Sequence, residues 1–419
     1  MVIKMNLLEK TKVFLNKNKW LVIFLLLIPS FYPDTKFLRD YFIYHLIYGI
    51  MMCPIAVYLF LDTFFFNPKK PSYLFLAFII YNIYMVIDQV KVWWLDYKYY
   101  TELVRAVNLV LIIEKYRRDN ELDLLNALML QFEVLMYPNL ISIIINRLNG
   151  ITVGETLLGY YNNIIVLSLP AICVAVVYLN KTNKRIRSFI LIAIAIISCL
   201  ISGSATPIMA MVGFIGSFVL LYLLLKVLHI KKIWVWPLLI LAIVVDIFFV
   251  LIYREGLIPV LDSFFLNVLH RSPNLTGRVT IWDKALVMIN EGLKFGHGYA
   301  PVINMGTWNA LHSHNEYLNI LTKYGLAGLG MYSVFTFIYA FKVEKMKNNL
   351  YKATFISLFF AIQIAFITDA IYRAYLYYIV FFLAYYFQND NEEEVFYVDR
   401  IKKWFKAKKN KKEVERGSN

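Results

Sequence analysis

Charged residues are scarce in this 419-residue chain, and their scarcity is the first constraint on its class. Asp, Glu, Lys and Arg together make up 17% of the sequence, whereas apolar residues make up 60%. An ordinary soluble domain has about 25% charged residues. The composition therefore excludes a soluble globular protein of ordinary makeup and indicates a chain whose surrounding solvent is lipid.

Cysteine is also scarce. The three cysteines, Cys53, Cys173 and Cys199, lie far apart inside apolar runs, without the spacing of a metal site or a disulfide framework. We expect them to be packing residues. A small-residue cleavage site is missing after the first apolar run, so we expect the N-terminal segment to remain as an uncleaved first helix.

Long apolar runs, by contrast, follow one another along most of the chain. A spanning helix needs about 20 largely apolar residues, and this criterion predicts about 12 spans. They lie near 16–32, 41–61, 72–90, 102–114, 124–146, 160–179, 187–202, 205–226, 233–253, 325–341, 352–369 and 371–387. The fourth contains Glu102, Arg105 and Glu114, so it is either a short span or an amphipathic helix on the membrane surface.

The formal net charge of +15 comes from basic clusters in alternate connections between the apolar runs and at the two ends. This distribution is typical of the cytoplasmic side of a membrane protein, so it does not indicate nucleic acid binding. It predicts an all-α polytopic membrane protein with both termini in the cytoplasm. We divide the chain into nine spans in 1–253, one large extracytoplasmic loop in 254–324, three spans in 325–388 and a polar cytoplasmic tail in 389–419.

The loop holds four of the six histidines: His270, His297, His312 and His314. Ser313 and Glu316 fit a capping box, which predicts Ser313 as the N-cap of a helix and His314 as its first residue. The positive end of the helix dipole disfavours imidazolium, so His314 is a candidate general base. The alternative is that His312 and His314 are ordinary interfacial polar residues.

His312 and His314 also suggest a metal site, but the loop contains no cysteine and no third ligand at a useful spacing. We therefore predict no metal. A third ligand would have to come from His297 or from an acidic residue that folds back to the two histidines.

A second amphipathic helix is predicted to begin near Arg278, because apolar residues recur at helical spacing at Trp282, Ala285, Leu286 and Ile289. The guanidinium fork of Arg278 suits bidentate binding of phosphate. An ion pair with Asp283 or Glu291 is the structural alternative.

Two further arginines lie at the predicted outer surface, Arg254 at the end of the ninth span and Arg373 before the last span. Three arginines, including Arg278, can thus face one outer pocket. Glu133 and Asp246 lie inside predicted spans, where an unpaired charge is costly, so we expect each to be paired, protonated or next to a wet cavity.

The motifs of the loop carry a family resemblance. His314-Asn315 is followed by Gly325-Leu326-Ala327-Gly328, and Arg278 with Trp282 is followed by Phe295-Gly296-His297-Gly298. Over about 275–332 the chain resembles the O-antigen ligase and polysaccharide polymerase (Wzy-like) family of bacterial envelope glycosyltransferases. One position departs from the pattern: this chain has Ala205 where many members have an arginine assigned to pyrophosphate. Arg254 or Arg373 is the expected substitute.

The resemblance implies a GT-C-like fold and a metal-independent inverting glycosyltransferase without a cofactor. Its donor would be an undecaprenyl-diphosphate-linked oligosaccharide at the outer face of the bacterial cell membrane. In that scheme His314 is the catalytic base, and the residues at the substrate are Arg278, Arg254, Arg373, Asn315, Glu316 and Trp282.

Within the family we favour a polymerase of capsular, exopolysaccharide or O-antigen type. The Lys-, Asn- and Ile-rich composition is typical of a low-GC Gram-positive source, which lacks lipopolysaccharide. A ligase that moves a finished glycan to another acceptor is the alternative, and a flippase for lipid-linked oligosaccharide is the alternative from another class. The expected partners are the lipid bilayer, the lipid-linked donor, a chain-length regulator and a flippase, without nucleic acid.

Overall fold

A computed structural model describes most of the chain. It covers residues 17–31, 41–66, 70–91, 97–151, 154–182, 184–230, 233–254, 267, 278–298, 301–306, 309–310, 312–369 and 374–388. Within these ranges the structure is mostly helical, and its strands form two short hairpins.

The first half of the described chain is a series of apolar helices. Their bounds are α1 Lys19–Phe31, α2 Phe42–Leu61 with a π-helical turn Asp62–Phe66, α3 Tyr73–Lys91, α4 Tyr97–Asp119, α5 Glu121–Leu148, α6 Ile164–Thr182 and α7 Arg185–Leu200. Between α5 and α6, strands β1 Glu155–Thr156 and β2 Gly159–Tyr160 form an antiparallel hairpin, followed by a 3-10 turn at Tyr161–Asn163.

The second half contains the predicted loop helix and the last long helices. Their bounds are α8 Ala205–Lys226, α9 Trp236–Arg254, α10 Arg278–Glu291, α11 Glu316–Glu344, α12 Asn349–Thr368, a 3-10 turn Ala374–Tyr377 and α13 Tyr378–Phe387. Strands β3 Ile303–Asn304 and β4 Asn309–Ala310 form a second antiparallel hairpin between α10 and α11.

Several of these helices have the length and hydropathy of membrane spans. Six described segments qualify: Leu46–Phe66, Glu121–Leu148, Tyr161–Thr182, Ala205–Lys226, Glu316–Glu344 and Asn349–Thr368. Four more apolar helices, which include α1, α3, α9 and α13, are shorter. The chain is therefore a multi-pass helical membrane protein, and the count of 12 spans and the side of the large loop stay predictions.

Helix α4 is longer than the predicted fourth span 102–114 and lies within the bundle. Its middle, from Leu109 to Ile113, is fully buried, and it packs against α1, α2 and α13. The carboxylate of Glu114 accepts a hydrogen bond from Arg117 at 2.6 Å, so its charge is paired. This packing favours a helix of the bundle over a helix on the membrane surface.

The buried charges predicted within spans both have partners. Arg187 of α7 donates to the Glu133 carboxylate of α5 at 2.7 and 2.8 Å, which confirms the expected pairing. Asp246 of α9 accepts a hydrogen bond from the Asn315 side chain at 2.6 Å. Among the cysteines, Cys173 and Cys199 are buried as expected, but the prediction was wrong for Cys53, which is exposed on α2.

Two glycines allow the segment after α10 to lie directly against α11. A Cβ atom at Gly325 would lie 2.5 Å from the Phe295 nitrogen, and one at Gly296 would lie 2.3 Å from the Lys323 carbonyl carbon. Four backbone hydrogen bonds join the two segments, among them His297 N to Thr322 O at 2.9 Å and Leu326 N to Leu293 O at 2.8 Å. The contact fixes the loop beside the start of α11, where the candidate site lies.

Candidate active site

The candidate site is centred on His314, which lies just before α11. Its Nδ1 atom lies 2.9 Å from Oδ1 of Asp369, the C-cap residue of α12. The His314 side chain is 34% exposed, whereas that of Asp369 is 8% exposed. The imidazole therefore has one edge against an enclosed carboxylate and another that solutes can reach.

Asp369 is held in its charged form. Burial alone would raise the pKa of this carboxyl group, but the hydrogen bond with His314 and the charges of Arg278 and the two histidines lower it below its usual value. A carboxylate only accepts hydrogen bonds, so Nδ1 of His314 is the donor. In the neutral ring Nε2 is then the nitrogen with the free lone pair, which is the state that a general base requires.

The helix after His314 begins two residues later than predicted. Asn315, not Ser313, is the N-cap of α11, and its side-chain oxygen accepts a hydrogen bond from Leu318 N at 2.9 Å. The Ser313 hydroxyl instead donates to the Asn315 carbonyl at 2.7 Å. Asn and Ser are comparable N-caps, and the second bond of Asn315 to buried Asp246 favours this register.

This shift changes the roles predicted for His314 and Asn315. His314 lies before the N-cap, in the left-handed region with φ of 51°, so the argument from the first helical position does not apply to it. Asn315 is fully buried and ties α11 to α9. Its geometry favours a structural role over the predicted contact with substrate.

Arg278, the first residue of α10, is brought next to the His314–Asp369 pair. Its guanidinium donates to the carbonyl oxygen of Thr368, the residue before Asp369. A positive charge at the end of α12 interacts favourably with the partial negative charge of the helix C-terminus. Arg278 is thus close enough to the pair for its charge to lower the pKa of Asp369.

Trp282 of α10 contacts the backbone of the segment that holds His312 and His314. Its indole N–H donates to the Ser313 carbonyl at 2.9 Å, and the side chain is fully buried against Phe249 and its neighbours. We expected Trp282 at the substrate. Its burial favours a positioning role for the residue instead.

Two side chains that the sequence did not single out complete the surroundings of Asp369. Asn162, in the 3-10 turn before α6, donates from Nδ2 to Oδ2 of Asp369 at 2.6 Å. The hydroxyl of Ser204, the N-cap of α8, donates to Oδ1 of Asn162. Both carboxylate oxygens of Asp369 therefore have partners: Oδ1 contacts His314, and Oδ2 contacts Asn162.

His312 lies against the other side of the site. Its ring centroid is 4.2 Å from that of His314 in an edge-to-face arrangement. Burial, and then the neighbouring charges of His314, Lys323 and Arg278, lower the pKa of His312 to about 4, against a raising effect of Asp369. Its Nδ1 atom is buried and has no hydrogen-bond partner among the described residues. A neutral ring with an unused nitrogen thus borders the candidate base.

Comparison with known families places much of this site in one domain. Residues 189–333 match the family model described as O-Antigen ligase. The match contains Arg278, Trp282 and His314, and it confirms the predicted resemblance. No curated protein matches the chain. Asn162 and Asp369 lie outside the matched segment, so parts of the chain before and after that segment complete the candidate site.

The candidate site contains a set of side chains with metal-ligand chemistry. Nitrogen and oxygen atoms of His312, His314 and Asp369 all lie within 4.8 Å of one another. The sequence left open an acidic residue that folds back to the histidines, and Asp369 is such a residue, brought there from a distant segment. Three such ligands with a water are a common catalytic zinc set. In this structure, however, both Asp369 oxygens already accept hydrogen bonds.

The structure describes only some of the remaining residues that the sequence singled out. Glu316 is the first residue of α11 and accepts a hydrogen bond from Asn319 at 3.3 Å. Arg254 is the last residue of α9, and its side chain lies outside the described part of the structure. Arg373 and His270 lie outside the described residues altogether. A contact of Arg254 or Arg373 with substrate stays a prediction.

Proposed function

We propose that the chain polymerises lipid-linked oligosaccharide repeat units of capsular, exopolysaccharide or O-antigen type at the outer face of the bacterial cytoplasmic membrane. A glycan is transferred from undecaprenyl diphosphate to a sugar hydroxyl. The match of 189–333 to the O-antigen ligase family supports this class of reaction. The observation that carries the proposal is the contact of His314 Nδ1 with Asp369, because it leaves Nε2 as the accepting nitrogen of a partly exposed imidazole.

In the proposed reaction Nε2 of His314 takes the proton of the acceptor hydroxyl as its oxygen attacks the anomeric carbon of the donor. The bond from that carbon to the diphosphate oxygen breaks, and the diphosphate leaves with the electron pair. Attack opposite the leaving group inverts the anomeric centre. The Arg278 guanidinium stabilises the charge that develops on the diphosphate, so no acid has to protonate it. The carboxylate of Asp369 stabilises the imidazolium that forms.

A ligase is the second candidate, and the description of the matched family favours it. Both reactions use the same donor and the same base, and they differ in the acceptor. The flippase alternative has less support. The two buried charges that suggested a transport path, Glu133 and Asp246, are bound to Arg187 and Asn315.

The test uses purified protein, a lipid-linked repeat unit and the variant His314→Asn. Asparagine tolerates the left-handed backbone of residue 314 better than alanine, so the variant removes the imidazole with little added strain. Loss of a general base lowers the transfer rate about 10²- to 10⁴-fold. His229→Asn is the matched control, because exposed His229 also has φ of 51°.

The products separate the candidates. A ladder of lengthened glycans from the repeat unit alone identifies a polymerase, whereas transfer only to an added lipid or glycan acceptor identifies a ligase. If His314→Asn lengthens glycans at the wild-type rate, His314 is not the base. If the wild type makes neither product but moves the lipid-linked glycan across vesicles, the protein is a flippase.

A further inference from the structure

A second guanidinium lies at the turn before α8, which is linked to the Asp369 carboxylate by hydrogen bonds. Arg147, in the last turn of α5, donates from Nε to the carbonyl oxygen of Ile201 at 2.9 Å. Ile201 caps the C-terminal end of α7, so the contact holds the arginine across the turn that leads into α8. The side chain is half-buried and lies 5.9 Å from the ring of Tyr161.

The turn beneath Arg147 is shaped for it by a glycine. Gly203 has φ of 73°, and a Cβ atom there would lie 1.7 Å from Nη2 of Arg147 and 2.7 Å from its Cζ. No side chain larger than hydrogen fits at this position while the guanidinium stays in place. Gly203 therefore provides both the turn and the space for Arg147.

The same turn leads directly to the candidate site. Ser204 follows Gly203 and donates to Asn162, which donates to Oδ2 of Asp369 at 2.6 Å. Asp369 in turn binds His314. Every step of this path is a hydrogen bond or a covalent neighbour, so Arg147 is linked to the site through the turn between α7 and α8.

The terminal nitrogens of Arg147 are available for a ligand. Its hydrogen bond to Ile201 uses Nε, and within the described ranges Nη1 and Nη2 have no hydrogen-bond partner. A fixed guanidinium with two free donor nitrogens suits bidentate binding of a phosphate oxyanion. A purely structural arginine at this helix end would need only its contact with the carbonyl.

We propose that Arg147 binds the diphosphate of the lipid-linked donor, in the role that the missing arginine at Ala205 would have. This inference rests on the proposed function for the identity of the ligand. Contacts of Arg254 and Arg373 with the donor stay separate predictions. In this proposal Arg147 and Arg278 together neutralise the charge of the two phosphates.

The experiment measures binding of farnesyl diphosphate and of uncharged farnesol to the purified full-length protein, without any transfer. Arg147→Gln should weaken farnesyl diphosphate binding about tenfold or more, because it removes charge-assisted hydrogen bonds, and should leave farnesol binding unchanged. Arg147→Lys should have an intermediate effect, since it keeps the charge and loses the fork. Lys184→Gln is the matched control, because exposed Lys184 lies at the opposite end of α7 from Ile201.

Gly203→Ala is an independent variant that keeps Arg147 but displaces its guanidinium, and it should weaken farnesyl diphosphate binding without altering the charge. Thermal unfolding of each variant in detergent checks that it is folded. Wild-type affinity for farnesyl diphosphate in folded Arg147→Gln overturns the inference, even if His314-dependent transfer is present. Conversely, Arg147-dependent binding in a protein that transfers no glycan would retain the anion site and reject the proposed reaction.

Discussion

The candidate base is held in a backbone conformation that few residues adopt. His314 has a positive φ, which costs a residue with a side chain on the order of 1 kcal/mol. The Trp282 indole fixes the carbonyl before it, the Asp369 carboxylate binds its ring, and the Asn315 cap fixes the backbone after it. Contacts from three other helices therefore hold one imidazole in a defined direction.

His312 should make the protein less stable in mild acid. Burial first, and then nearby positive charge, lower its pKa to about 4, whereas a histidine in the unfolded chain has a pKa of about 6.5. As the pH falls below about 6.5 the unfolded state binds a proton that the folded state does not, so the free energy of unfolding decreases. Asp369, whose pKa is lowered, affects stability only near and below the usual carboxyl pKa.

The measurement is the thermal unfolding midpoint in detergent at pH 7.5 and pH 5.5. We expect the midpoint of the wild type to drop between these values and that of His312→Asn to drop less. Equal drops in the two proteins would show that His312 titrates normally in the folded state. The groups that surround it, His314, Asp369, Lys323 and Arg278, are unchanged in the variant.

Removal of metal should leave transfer unchanged. Asp369 already binds His314 and Asn162, and the proposed reaction uses Nε2 of His314 for a proton. Prolonged dialysis against EDTA, followed by a transfer assay and elemental analysis, checks this prediction. Loss of activity that returns with added Zn²⁺ would assign His312, His314 and Asp369 as ligands of an ion instead.

Single residues differ in how well the sequence predicts them. His314 and Arg278 are recognisable because each lies in a local motif. Asp369 and Asn162 are not, because their contact joins segments that are far apart in the chain. The only local signal for Asp369 is an acidic residue in a very short connection between two apolar runs. The cap was misplaced because Ser313 and Asn315 are both good caps, and a distant partner, Asp246, decides between them.

At the level of elements, glycine allows the segment that follows α10 to pack against α11. Gly325→Ala should destabilise the protein by about 2 kcal/mol or more, because the residue has φ of 60° and its Cβ would overlap the backbone at Phe295. Gly330→Ala, in the same helix, is the matched control, since nothing lies within 4 Å of its Cβ position. Thermal unfolding of both variants in detergent provides the comparison.

The control should be neutral or slightly stabilising, because alanine is favoured over glycine in a helix interior by about 1 kcal/mol. Unfolding of Gly325→Ala at the wild-type temperature would mean that the two segments are not in contact. Loss of transfer in Gly325→Ala is also expected, because α11 begins at the candidate site.

Elements were predictable where a local pattern determines them. Of the apolar stripe predicted on α10, Trp282, Ala285 and Ile289 are buried and Leu286 is half-buried. The apolar runs likewise become helices, with bounds that differ by a few residues. Helix α4 was harder, because its fraction of charged residues favours a surface position and only the helices around it explain its burial.

At the level of the whole molecule, the site is assembled from segments that span much of the chain. The turn before α6, the start of α8, the start of α10, the loop before α11 and the end of α12 all contribute side chains. The segment that matches the O-antigen ligase family holds only some of them. The turn before α6 and the end of α12 are therefore needed to complete the site.

The proposed reaction requires this assembly to face outward, and cysteine labelling tests that requirement. Cys53 is the exposed native cysteine of the described chain, so the background is Cys53→Ser, in which Cys173 and Cys199 remain buried. Lys294→Cys reports on the loop beside the site, and Lys184→Cys reports on a connection predicted to be cytoplasmic; both positions are exposed. A membrane-impermeant maleimide added to intact cells should label residue 294 and should label residue 184 only after permeabilisation. The reverse pattern would place His314 on the cytoplasmic side and would exclude transfer at the outer face, because a base and its donor must share one side of the membrane.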